Sequence, residues 1–67
     1  MKAMFKKNDY IGNYSEKRKI ISIINLKSEY VMTIRDIEDI KSAENMFNLI
    51  ADYTLEQFND YLLKEGI

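Results

Sequence analysis

The hydrophobic period of this 67-residue chain changes once, near Asp36. Upstream, apolar residues alternate with polar ones or cluster as β-branched runs. Downstream they recur every three or four residues. A period of two belongs to a strand and a period near 3.6 to a helix. Strands followed by helices in one short chain point to an α+β fold.

The upstream half carries the strand signals. Residues 19–26 include Ile20, Ile21, Ile23 and Ile24, side chains that are stiff at χ1 and suit a pleated surface. Ile20, Ser22, Ile24 and Leu26 would share one face, and Ile21, Ile23 and Asn25 the other. Both faces are mainly apolar, which predicts a central strand covered on both sides. Residues 30–35 set Tyr30, Met32 and Ile34 against Val31, Thr33 and Arg35, the alternation of a further, antiparallel strand. Tyr10-Ile11 would lie in a first strand, and Gly12-Asn13 reads as a turn because both residues tolerate positive φ. The expected sheet therefore has two or three antiparallel strands, at about 8–12, 19–26 and 30–35, with residues 1–8 open to fraying. An all-α bundle is the alternative. It requires residues 15–27 to be helical, since positions 20, 23 and 24 also share a helical face.

Two helices follow. Ile37, Ile40, Ala43, Phe47 and Ile50 mark one over about 37–52, with Asp36, Asp39 and Ser42 as candidate N-caps. Thr54-Leu55-Glu56-Gln57 has the form of a capping box that opens a second helix over about 55–65. Tyr53 and Phe58 have the spacing of a hydrophobic staple. Glu56 suits the positive end of the helix dipole. Leu55, Phe58 and Leu62 form its apolar stripe, and Gly66 suits a left-handed C′ position.

Composition narrows the chemistry. The chain has no Cys and no His, so disulfides, histidine-based zinc sites, catalytic triads and a histidine general base are all excluded. A single small domain spanning residues 1–67 buries a modest fraction of its surface, and packing or oligomerisation must supply its stability. One glycine in the first 65 residues leaves no phosphate-binding loop. Asp36, Glu38, Asp39 and Glu44 lack the spacing of a calcium loop. No enzyme activity, cofactor or metal is therefore expected. No apolar run is long enough to span a membrane, and the N-terminal residues lack a signal-peptide core, so a cytoplasmic, non-membrane chain is expected.

Charge supplies the candidate sites. Residues 1–35 hold eight Lys/Arg against three acids, a net of +5, and residues 36–67 hold two Lys against eight acids, a net of −6. Glu38, Asp39, Glu44, Asp52, Glu56 and Asp60 lie at or beside polar positions of the helical half. Together they could occupy a basic groove on another protein, in place of phosphates. Lys17, Arg18 and Lys19, with Arg35, are candidates for contact with nucleic acid or an acidic partner. A third candidate is the strand near residues 20–26, which would leave an apolar face open if only one helical layer exists. Such a face favours a homodimer or a partner interface.

The order strand, helix, helix over residues 30–66 resembles the ribbon-helix-helix repressors. In that family the strand pairs with its dimer mate and reads the major groove, while the second helix meets phosphate at its N-terminus. The resemblance implies a dimer in which Thr33 and Arg35 read the bases. Glu56 departs from the pattern, since it stands where phosphate would dock.

The expected function is a small non-catalytic protein-binding module, acting as a stoichiometric inhibitor or regulator of a basic, nucleic-acid-handling protein. In type it resembles phage and mobile-element anti-defence proteins, including inhibitors of CRISPR nucleases. The alternatives are a DNA- or RNA-binding regulator of the ribbon-helix-helix kind and a structural phage subunit. One local prediction needs only the capping box: Thr54→Ala removes an N-cap and should lower stability by about 1 kcal/mol, read from urea unfolding midpoints.

Overall fold

A computed structural model describes residues 2–65, with side chains through Leu63; the cap expected at Gly66 lies outside the described residues. The elements are β1 (Lys2–Lys7), β2 (Tyr10–Ser15), β3 (Ile20–Asn25), β4 (Val31–Ile34), α1 (Ile40–Ala51) and α2 (Leu55–Glu65). The strands form one antiparallel sheet in the order β1-β2-β3-β4, so the architecture is α+β with four strands rather than two or three. Residues 2–7, expected to fray, make β1. The strand expected at 8–12 is instead a turn plus the first half of β2. Residues 15–27 contain β3 and its flanking turns, so the all-α alternative is not adopted.

Short polar side chains set the turns. Lys7 pairs with Tyr10 across a two-residue turn, Asn8-Asp9, and Asn8 takes φ 55°, a conformation asparagine tolerates better than most residues. Lys19 closes the β2–β3 turn at φ 58°, its N–H donating to the Ser15 carbonyl at 2.8 Å. After β3, the buried Asn25 accepts from the Lys27 and Ser28 N–H groups at 2.9 and 3.0 Å through its Oδ1. Those bonds satisfy a buried amide oxygen and fold the chain back towards β4.

Gly12-Asn13, read as a turn, sits in the middle of β2. The reason is steric. A Cβ on Gly12 would lie 2.6 Å from Cδ1 of Phe47, so the bare backbone is what lets the α1 ring approach the sheet. The same ring stacks on Phe5, the cross-strand neighbour of Gly12, with centroids 5.5 Å apart. Phe47 thus docks α1 onto β1 and β2 together.

The register puts Tyr10, Gly12 and Tyr14 of β2 on one sheet face with Ile21, Ile23 and Asn25 of β3 and Met32 of β4. All of these are buried, and with Ile37, Ala43, Phe47, Ile50, Ala51 and Phe58 the apolar ones form the core. The Phe58 ring packs on Tyr10, centroids 5.3 Å apart, while Tyr53 meets Tyr61 at 6.2 Å. Each ring of the expected staple thus has an aromatic partner elsewhere. Both helices cover the same sheet face. Consequently β3 is covered on one side only, against the expectation of burial on both.

Helix α1 begins at Ile40 rather than near residue 37. Asp39 is its N-cap, accepting the Ser42 N–H at 2.8 Å. Asp36 is a turn residue at φ 65°. Ile37 is buried in the preceding linker, held there because its N–H donates to the Lys19 carbonyl at 2.9 Å. The capping box of α2 forms in both directions: the Thr54 N–H donates to Gln57 Oε1 at 2.9 Å, and the Gln57 N–H to Thr54 Oγ1 at 3.2 Å.

The close approach at Gly12 carries a prediction. Gly12→Ala forces Phe47 to move and should cost about 1–3 kcal/mol, the usual range for overpacking. In a double-mutant cycle with Phe47→Leu, which vacates the ring, the alanine should cost clearly less; strictly additive urea-unfolding energies would contradict the steric account.

Candidate functional site

Helix α1 buries Ala43, Phe47, Ile50 and Ala51, and α2 buries Phe58. Helical geometry then turns Glu56, Asp60 and Leu63 of α2 away from the sheet, with Lys41, Asn45, Asn48 and Leu49 of α1, while Glu44 lies exposed on the α1 flank. Leu49 and Leu63 are 57% and 82% exposed, so the outer helical surface mixes carboxylates with leucines, and Leu55 at the α2 entry is 42% exposed on the side of Phe58.

The six expected acids do not act alike. Glu38 lies in the linker before α1 and accepts from Lys19 Nζ at 2.9 Å. Asp39 caps α1. Asp52 follows α1 as its C-cap, at the negative end of the dipole, where Lys7 pairs with it at 3.4 Å and offsets the unfavourable charge. Glu44, Glu56 and Asp60 remain exposed and form no ion pair among the described residues. Glu44, Glu56 and Asp60 thus share the outer helical side with Leu49 and Leu63, which charge counting did not reveal.

The basic set divides in the same way. Lys19 is engaged twice, by its carbonyl with Ile37 and by its ammonium with Glu38. Lys17 and Arg18 stand exposed in the β2–β3 turn, and Arg35 is exposed just after β4. Arg35 follows β4 at the same end of the sheet as that turn, since Ile34 pairs with Ile21 and the Ile37 N–H reaches the Lys19 carbonyl, while Lys2 and Lys6 of β1, absent from the expected set, join the basic surface.

These two lysines lie on the sheet face away from the helices. Pairing across the strands creates three rows there. Lys6, Ile11, Ile24 and Val31 form one row, and Met4, Asn13, Ser22 and Thr33 the next. Lys2, Ser15 and Ile20 form the third. No acid and no aromatic residue occupies a strand position on this face. A shallow groove runs across it, bordered by Lys2, Met4, Asn13, Arg18, Ile20 and Ser22. The signal for this face was available in the sequence as the alternation Lys2, Met4, Lys6, but three lysines in six residues masked a strand.

Two titrating groups report the wiring around the α1 entry. Asp39 is held below its ordinary value of 3.8, chiefly by the Ser42 N–H and then its hydroxyl, against the effect of burial. Lys19 is raised above 10.5, first by its hydrogen bond to Glu38 and then by that carboxylate's charge. Burial, helped by the charge of Glu16, raises the Tyr14 phenol above 10.0.

The sequence matches no protein-family model, and comparison with curated proteins and with solved structures finds no match. No helix among the described residues is long and apolar enough to cross a membrane. Among the described residues no group of three or more candidate metal ligands comes together.

The lowered Asp39 value fixes a sign. Its contribution is complete above the unfolded-state value of about 3.9 and is lost as pH falls through the folded-state value. Asp39→Asn keeps an acceptor for the Ser42 N–H and removes the titration. Urea midpoints measured from neutral pH downwards should fall less in this variant than in the parent below about pH 4; parallel curves would contradict the assignment. Lys19 works the other way: its contribution is present below the unfolded-state value and is lost as pH rises through the raised one.

Proposed function

We propose that this chain is a non-catalytic protein-binding module that acts as a stoichiometric inhibitor or regulator, of the kind found among phage and mobile-element anti-defence proteins. It docks its helical surface on a basic, nucleic-acid-handling protein. The observation that carries this reading is the composition of that surface: Leu49 and Leu63 stand exposed on the same helical side as Glu44, Glu56 and Asp60, which form no ion pair among the described residues. Carboxylates supply fast, selective encounter with a cationic groove, and the leucines supply apolar area once water is displaced. Polar Asn45 and Asn48 on the same surface add directional hydrogen bonds.

A DNA- or RNA-binding role is the second reading, favoured by the unpaired Lys2, Lys17 and Arg18 around one end of the sheet. The repressor-like arrangement fits it poorly, because β4 already pairs along one edge with β3 of its own chain.

The test is titration of the chain against a panel of CRISPR nucleases at rising salt. A sensitive nuclease should lose activity at one or a few equivalents of the chain. The Glu44→Lys, Glu56→Lys, Asp60→Lys variant should inhibit at least about tenfold more weakly, the loss expected when three favourable charge contacts become repulsive. Inhibition unchanged by that reversal would overturn the acidic-surface reading.

A further inference from the structure

We infer that the chain also associates with itself head to tail, the open sheet face of one copy seating the outer helical surface of the next. This contact shares the helical surface with the role proposed above but does not depend on it.

Once the internal ion pairs are set aside, cations predominate on the open sheet face and carboxylates on the helical side, with Lys41 an exception on the helices and Glu16 one in the turn beside Lys17 and Arg18. Lys7, Lys19 and Lys27 each meet an acid of the same chain, Asp52, Glu38 and Asp9 in turn. Among the described residues Lys2, Lys6, Lys17 and Arg18 do not. Lys2 and Lys6 project from the open sheet face, and Lys2 and Arg18 border its groove. Glu44, Glu56 and Asp60 lie on the helical side and likewise form no ion pair among the described residues. Apolar groups accompany both sets. Met4 and Val31 are 71% and 49% exposed on or beside the basic face, and Leu49 and Leu63 are exposed on the acidic one. The two surfaces lie on opposite sides of a body whose thinnest dimension is 17 Å. They are complementary in charge and alike in apolar content. A net charge of −1 per chain lets copies add with little accumulated repulsion.

Symmetric pairings lack that match. Two sheet faces packed against each other stand about 10 Å apart, which would set Lys2, Lys6 and Arg18 against a face whose strand positions hold no carboxylate. It would also remove Asn13, Ser22 and Thr33 from water without assigned partners. Edge-to-edge pairing through β1 meets Lys2, Lys6 and Lys7, the residues by which edges resist such pairing. Single-stranded nucleic acid is the other anion the basic face could take, but the face offers no aromatic ring to stack a base. A head-to-tail contact is heterologous, so it continues into a stack unless it closes into a ring.

The experiment is sedimentation velocity on the full chain and on two neutralised variants. Variant one carries Lys2→Gln, Lys6→Gln and Arg18→Gln; variant two carries Glu44→Gln, Glu56→Gln and Asp60→Asn. Neutralisation is chosen because reversed charges would build a new attractive pair. All the substituted side chains are exposed and form no ion pair among the described residues, and circular dichroism checks the fold. The parent chain should grow in mass with concentration at low salt and return to monomer at high salt. Each variant alone should self-associate about tenfold more weakly. Mixed, they retain one intact contact and should give a species of twice the 8.0 kDa chain mass that does not grow further. A parent that stays monomeric at low salt overturns the inference, and so does a mixture no more associated than its components. If the monomeric parent instead sediments faster with oligothymidylate, the basic face serves nucleic acid and the inference fails. None of these outcomes bears on nuclease inhibition, which is scored separately.

Discussion

Phe47 rests on bare backbone at Gly12 and stacks on Phe5, and the attachment of α1 to the sheet depends on that contact. Three side-chain hydrogen bonds then secure the helix at its boundaries. The Tyr14 hydroxyl donates to the Ile37 carbonyl ahead of α1 at 2.8 Å, and the Tyr10 hydroxyl to the Tyr53 carbonyl after it at 2.9 Å. Asn8 Nδ2 donates to the Ala51 carbonyl at 2.9 Å. The last of these satisfies a carbonyl that the helix itself leaves unpaired at its C-terminal end. Aromatic bodies fill the core while their polar tips fix the helix register, which suits a domain too small to rely on apolar area alone.

The same docking makes the molecule two-sided. Because α1 and α2 cover one sheet face, the other keeps Lys2, Lys6, Asn13, Ser22 and Thr33 in contact with water. The ion pairs between Lys19 and Glu38 and between Lys7 and Asp52 link the basic half of the chain to the acidic half at the boundary between the layers. Among the other charges of the described residues, cations predominate towards the sheet and carboxylates towards the helices, with Lys41 and Glu16 as exceptions. A charge gradient along the sequence has become a gradient through the thickness of the fold.

Local signals were legible where one or two turns of chain contain the whole interaction. The capping box from Thr54 to Gln57 is complete within four residues, and the second helix was read with its observed bounds. The strand near residues 20–26 was legible from its isoleucines, and so was the alternation around Met32. β1 was not, because Lys2, Lys6 and Lys7 obscure the inward positions of Ala3 and Phe5. Which acids pair internally was not legible: Glu44 and Glu38 look alike in sequence, yet Glu38 is placed beside Lys19.

Sequence by itself determined the change of period at Asp36, the capping box of α2, the absence of Cys and His, and the separation of charge between halves. These depend on residue identity and on spacings within a few positions. Tertiary structure decided that Gly12 serves a helix contact rather than a turn, that β3 keeps one open face, and which charges are neutralised. Those outcomes depend on Phe47 meeting Gly12 and Lys19 meeting Glu38. Such contacts join segments distant in the chain, and only the folded backbone brings them within reach.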